Sequence, residues 1–107
     1  MDKLIVNSKN QTFLIDFEDI ISLNAWGRYT KIIMENENHT LCKNLGLLEL
    51  GLPDYFFRIH DSYMINIHII SSIDGKMVNM VNGVTYKIAN NRRKKFMEYI
   101  ENLYNHK

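Results

Sequence analysis

Runs of Ile, Val, Phe and Tyr recur along this chain, each short and each broken by a polar cluster. That pattern constrains the fold more than any other feature. Runs of this length, rich in β-branched and aromatic residues, suit pleated strands. The spacing predicts strands over 4–6, 12–16, 20–26, 29–35, 40–43, 57–59, 69–73, 77–81 and 84–88. Asn82-Gly83 is a strong hairpin signal because both residues tolerate positive φ. Glu37-Asn38 is expected to turn one strand back on the next. Two segments read as helical. Asn44 is placed to cap a short helix over 45–50, ended by Gly51 and Pro53. Over 91–104, Phe96, Tyr99, Ile100 and Leu103 share one face at helical spacing, with Asn90 or Asn91 as the cap. The expected fold is mostly β, with a short internal helix and a C-terminal helix.

The length of 107 residues suits one domain spanning 1–107. Apolar content of 46% and charged content of 23% are those of ordinary globular chains. A net charge of +1 excludes a generally polycationic nucleic-acid binder, so any anion site must come from local clustering. The clearest cluster is Arg92-Arg93-Lys94-Lys95, with Lys87 just before it. The single cysteine, Cys42, permits no intrachain disulfide and reads as a small buried hydrophobe in an apolar-flanked strand. No apolar run approaches the ~20 residues of a membrane span, and the N-terminus lacks a signal-peptide core. A cytoplasmic protein is the simplest expectation, and whether the chain is whole or a piece of a longer one stays open.

No arrangement argues for enzyme chemistry, and no cofactor is implied. His39, His60, His68 and His106 are scattered without metal-ligand spacing. Gly27, Gly46 and Gly51 lack the spacing of a phosphate-cradling loop. Ser62, Asp61 and His60 are consecutive, and neighbours on an extended chain face opposite sides, so they are no triad by default. The same block is informative in another way. From Phe56 to Asn66 an apolar wall breaks into Arg58, His60, Asp61 and Ser62 and then resumes. It reads as an exposed segment presented to a partner, with Phe56, Phe57, Tyr63, Ile65 and Ile69 as its core anchors. Polar-basic segments also stand at Trp26-Gly27-Arg28-Tyr29-Thr30-Lys31 and over 87–95. Each has a plainer reading as solvated surface or core aromatic, and composition alone does not bring the three together.

Several motifs, in order, resemble the LytTR family of bacterial DNA-binding domains, from about Thr12 to the C-terminus. They are Phe17-Glu18-Asp19-Ile20-Ile21-Ser22-Leu23-Asn24-Ala25, then Gly27-Arg28-Tyr29-Thr30-Lys31-Ile32, then Lys43-Asn44-Leu45 with Leu48-Glu49. The most specific is Phe57-Arg58-Ile59-His60-x-Ser62-Tyr63-x-Ile65-Asn66, followed by Asn82-Gly83, a short strand and a basic helix start. The resemblance implies small antiparallel sheets whose loops enter successive major grooves of bent double-stranded DNA. It further implies a transcriptional regulator, commonly the output domain of a two-component response regulator bound to imperfect direct repeats in promoters. Two copies would then sit head to tail on DNA without a symmetric dimer in solution.

Carried over by position, the resemblance assigns Thr30 and Lys31, with Arg28 nearby, to the first DNA-contacting loop. It assigns Asp61, flanked by His60 and Ser62, to the second, and Asn90, followed by Arg92 and Arg93, to the third. Lys31, Arg58, Lys87, Arg92 and Arg93 are the expected phosphate contacts, and Thr30, Asp61 and Asn90 the expected base contacts. Arg58 has an alternative internal partner in Asp54 or Asp61. Two positions depart from the family, which more often has Arg, Asn or Lys at Asp61 and Ser-Arg at Ala89-Asn90. Asp61 could accept from cytosine N4 or repel phosphate, and Asn90 could pair with adenine where Arg prefers guanine. The alternative function is a protein-interaction or dimerisation module on the same fold.

Overall fold

The computed structural model describes residues 3–104, so His106 lies outside the described residues. Among them, strands form three antiparallel sheets. β1 (Lys3–Ser8) and β2 (Gln11–Asp16) make a hairpin. β3 (Ile20–Trp26), β4 (Tyr29–Met34), β5 (Asn38–Leu41), β6 (Phe56–His60) and β7 (Tyr63–Asn66) form the central sheet, in the order β5-β4-β3-β7-β6. β8 (Ile70–Asp74), β9 (Met77–Met80) and β10 (Thr85–Lys87) form the third sheet. α1 (Leu45–Glu49) follows β5, and α2 (Asn90–Tyr104) ends the described chain.

The central sheet is buried on both faces, which is why its strands read as nearly continuous apolar runs. Leu23, Ile32 and Met64 point to one side and join Val6, Ile15, Leu45 and Leu48, the inner residues of the β1–β2 hairpin and α1. Ile59 and Ile65 point to the other side and join Val78, Met80, Tyr86 and Phe96 from the third sheet and α2. Ser22, fully buried, shares a 2.6 Å hydrogen bond with the Tyr86 hydroxyl and so ties the central sheet to the third. Asn66 is buried with its side chain satisfied: Nδ2 donates to the Ile20 carbonyl at 3.0 Å, and Oδ1 accepts from the His68 amide at 2.9 Å.

Asn44 caps α1 as expected, its Oδ1 accepting from the Leu47 amide at 2.9 Å. α2 packs on β6 through Phe96, whose ring lies 5.2 Å from that of Phe57. It starts at Asn90 itself, so Ala89 rather than Asn90 or Asn91 precedes the first turn, and Leu103 is exposed. The β9–β10 hairpin differs in detail from the expectation. The Gly83 amide donates to the Met80 carbonyl and the Met80 amide to the Val84 carbonyl, enclosing a three-residue loop in which only Gly83 takes positive φ, at 89°. Cys42 corrects a further expectation: β5 ends at Leu41, so the thiol falls in the following bend and is exposed.

Candidate nucleic-acid interface

The antiparallel order carries the β3–β4, β6–β7 and β8–β9 turns and the start of α2 to one end of the molecule. Trp26 pairs with Tyr29, which leaves Gly27-Arg28 as a two-residue turn. Gly27 sits at φ +59°, where a side chain would be strained, and at the first central position of the turn. Arg28 is exposed at the tip.

The β6–β7 turn has no glycine, and side chains shape it instead. His60 Nδ1 accepts from the Ser62 amide at 3.0 Å. Arg58 donates from Nε to the His60 carbonyl at 3.2 Å and from Nη2 to the Asp61 carbonyl at 2.6 Å. Its Nη1 binds the Glu49 carboxylate at 2.8 Å, fixing the turn to the end of α1. The planar guanidinium suits this task, because its fork of donors meets several acceptors at once.

Hydrogen bonds join these turns to one another. The Ala25 amide donates to the Ser62 carbonyl, the Ala89 amide to the Ile59 carbonyl and the Ile88 amide to the Lys76 carbonyl, at 2.8, 2.8 and 2.7 Å. Arg92 reaches across with Nη1 to the Arg58 carbonyl at 3.3 Å and Nη2 to Asp61 Oδ1 at 3.0 Å. Arg93 Nε donates to the Gly75 carbonyl at 2.8 Å. The result is a junction of three turns with the start of α2, at which Arg28, Asp61, Lys76 and Asn90 are exposed.

Two expected contacts are displaced by this geometry. Thr30 is fully buried, and its hydroxyl donates to the Lys43 carbonyl at 2.8 Å. It faces the core because it alternates with exposed Tyr29 along β4, so a base contact from its side chain is not available. Arg58, whose side chain is 18% exposed, is engaged on Glu49 and two carbonyls; its carboxylate partner is neither Asp54 nor Asp61. Asp61, with its side chain 87% exposed, spends one carboxylate oxygen on Arg92. Asn90 and Lys87 are exposed, and Ser62 contributes its backbone to the junction between turns. Lys76, in the β8–β9 turn, is a candidate outside the polar-basic segments that stand out in the sequence. Asp74-Gly75, itself a hairpin signal, was the clue to that turn.

The far end of the central sheet carries the opposite charge. Glu18, Asp19, Glu35 and Glu37 border a cleft of about 330 Å³ there, remote from the Gly27-Arg28 turn by the length of β3 and β4.

The chain matches the LytTr DNA-binding domain family over residues 10–101. Its curated relatives include the heme-containing CO-sensing transcriptional regulators RcoM 2 and RcoM 1 of Paraburkholderia xenovorans (strain LB400), 32% and 30% identical over 66 residues. Those alignments cover 61% of this chain and 25% of each relative. Its fold is similar to that of the LytTr DNA-binding domain of a protein described as a methyl-accepting/DNA response regulator from Bacillus cereus. The TM-score is 0.76 at 21% identity, and 99% of each chain is covered. With the small antiparallel sheets, the C-terminal helix and a family match across nearly the whole chain, this protein belongs to the LytTR family of DNA-binding domains.

Proposed function

We propose that the domain binds double-stranded DNA sequence-specifically, as the DNA-binding part of a transcriptional regulator of the response-regulator kind, with direct repeats as its target. The observation that carries the reading is the hydrogen-bonded junction of four chain segments on one cation-bearing surface: Ala25 to Ser62, Ile59 to Ala89, and Lys76 to Ile88. A surface assembled in this way is rigid before DNA arrives, so little ordering is needed on binding. Arg28 at the tip of the first turn and Asn90 at the start of α2 read base edges in the major groove. Lys31, Lys76, Lys87 and Arg93 meet phosphates and set register. Arg58 and Thr30 serve as scaffold, and Arg92 holds Asp61.

Selection of bound sequences from a random duplex pool, at low and moderate salt, tests this. An enriched repeat is the expected result. Retention without enrichment would reduce the activity to electrostatic binding, and no retention at low salt would favour a protein-interaction module.

A further inference from the structure

The Gly27-Arg28 turn carries an aromatic pair for which the contacts proposed above have no use. Trp26 and Tyr29 are direct cross-strand partners, so their side chains leave the same face of the hairpin. They are 60% and 42% exposed, and among the described residues only Tyr104, at the end of α2, is a comparably exposed aromatic. Lys31 stands on that face too, with its ammonium 3.6 Å from the centroid of the Trp26 ring. It has no ion pair among the described residues. Its cross-strand neighbours are Asn24 and Thr40, so no carboxylate there draws the ammonium off the ring.

We infer that Trp26 and Lys31 form a platform for the sugar–phosphate backbone of duplex DNA, the indole packing on deoxyribose at the groove rim and the ammonium meeting the adjacent phosphate. This rests on the DNA-binding reading above and adds a contact class to it. Arg28 lies at the tip of the turn, while Trp26 lies in the cross-strand pair directly behind the turn, withdrawn by about the ~3.3 Å that a strand advances per residue. A ring set back from the tip reaches the rim of a groove into which the tip inserts. The indole offers a flat apolar surface matched to the sugar, and the cation held over it is already positioned for phosphate, so less side-chain freedom is lost on binding.

Trp26 is the only tryptophan, so emission excited at the red edge of the tryptophan band, where the six tyrosines do not absorb, reads this site alone. The full chain would be titrated with acrylamide, free and saturated with a mixed-sequence duplex at low salt. The duplex is expected to shift the emission and to lower the acrylamide quenching constant several-fold. Trp26→Phe should keep most of the affinity and Trp26→Ala lose about tenfold, near the low end of what an aromatic stacked on a base loses. Lys31→Met should take about 0.9 off the salt slope. Retained duplex with undiminished acrylamide access to Trp26, and full affinity in Trp26→Ala, would overturn the platform while leaving DNA binding by the other turns intact. Failure of the unaltered chain to retain duplex at all would overturn DNA binding itself, and the platform with it.

Discussion

Arg58 and Arg92 are both cations on the proposed DNA face, yet the structure separates their work. Three acceptors from two elements fix the Arg58 fork, and two of them are carbonyls of the turn it supports. A lysine keeps the charge but is a single point of donation and cannot span all three. Arg58→Lys is therefore expected to lower stability by about 1–3 kcal/mol, read as a shift in the urea midpoint. Its DNA affinity should fall through disorder of the turn, with the salt slope unchanged. Asp61 poses the opposite case, a carboxylate with its side chain 87% exposed and held by Arg92. Asp61→Asn removes a negative charge from the surface and loosens Arg92, so binding to mixed-sequence duplex at low salt should tighten. If affinity stays put while preference changes at one base pair, Asp61 reads a base instead. Asn90→Ala should change preference at one position and leave the salt slope alone, a pair of readouts obtained by repeating the pool selection with the variant.

At the level of elements, most strands were legible because each carries a buried apolar run between turn residues. β7 was not. Its four residues, Tyr63–Asn66, continue into Ile67, His68 and Ile69 without a break, so the sequence shows no strand end. Yet β7 pairs with both β3 and β6 and places the β6–β7 turn beside Ala25. The Arg58–Glu49 pair was equally hidden, since it joins a helix end to a strand whose relative placement comes only from tertiary packing. α2 was legible from its apolar face. Its docking rests on Phe96, fully buried, so Phe96→Ala should cost about 3–5 kcal/mol and weaken DNA binding by releasing Asn90, Arg92 and Arg93 together. A second anchor is the Tyr99 hydroxyl, which donates to the Asp54 carbonyl. Burial, with the Asp54 charge adding to it, holds the Tyr99 pKa above its ordinary 10.0. The folded state thus favours the neutral phenol. This stabilisation is complete below pH ~10 and is lost as pH rises through the raised folded value. Urea midpoints measured on either side of pH ~10 should fall with rising pH in the unaltered chain and fall less in Tyr99→Phe.

Over the whole molecule, a net charge of +1 conceals a polar distribution that composition could not reveal. Antiparallel pairing sends the acidic Glu18, Asp19, Glu35 and Glu37 to one end of the central sheet and Arg28, Lys76 and the start of α2 to the other. A domain with this asymmetry is oriented by the field of the duplex before contact, its basic end leading and its acidic end repelled. Affinity should then depend on the few cations that reach phosphate rather than on net charge. Lys31, Lys76, Lys87 and Arg93 are the cations proposed for phosphate, each exposed or partly exposed, while Arg58 is engaged by its internal partners. Neutralising about four phosphates gives a slope of log affinity against log salt near −3.6, from ~0.9 per phosphate. Lys76→Met and Lys87→Met should each reduce the steepness by about 0.9, whereas neutralising Glu35 and Glu37 at the far end should leave it unchanged. The contrast separates local contact from global charge. If the far-end substitutions steepen the slope as much as the near-end ones flatten it, duplex binding is governed by net charge alone and the turns have no defined register on DNA.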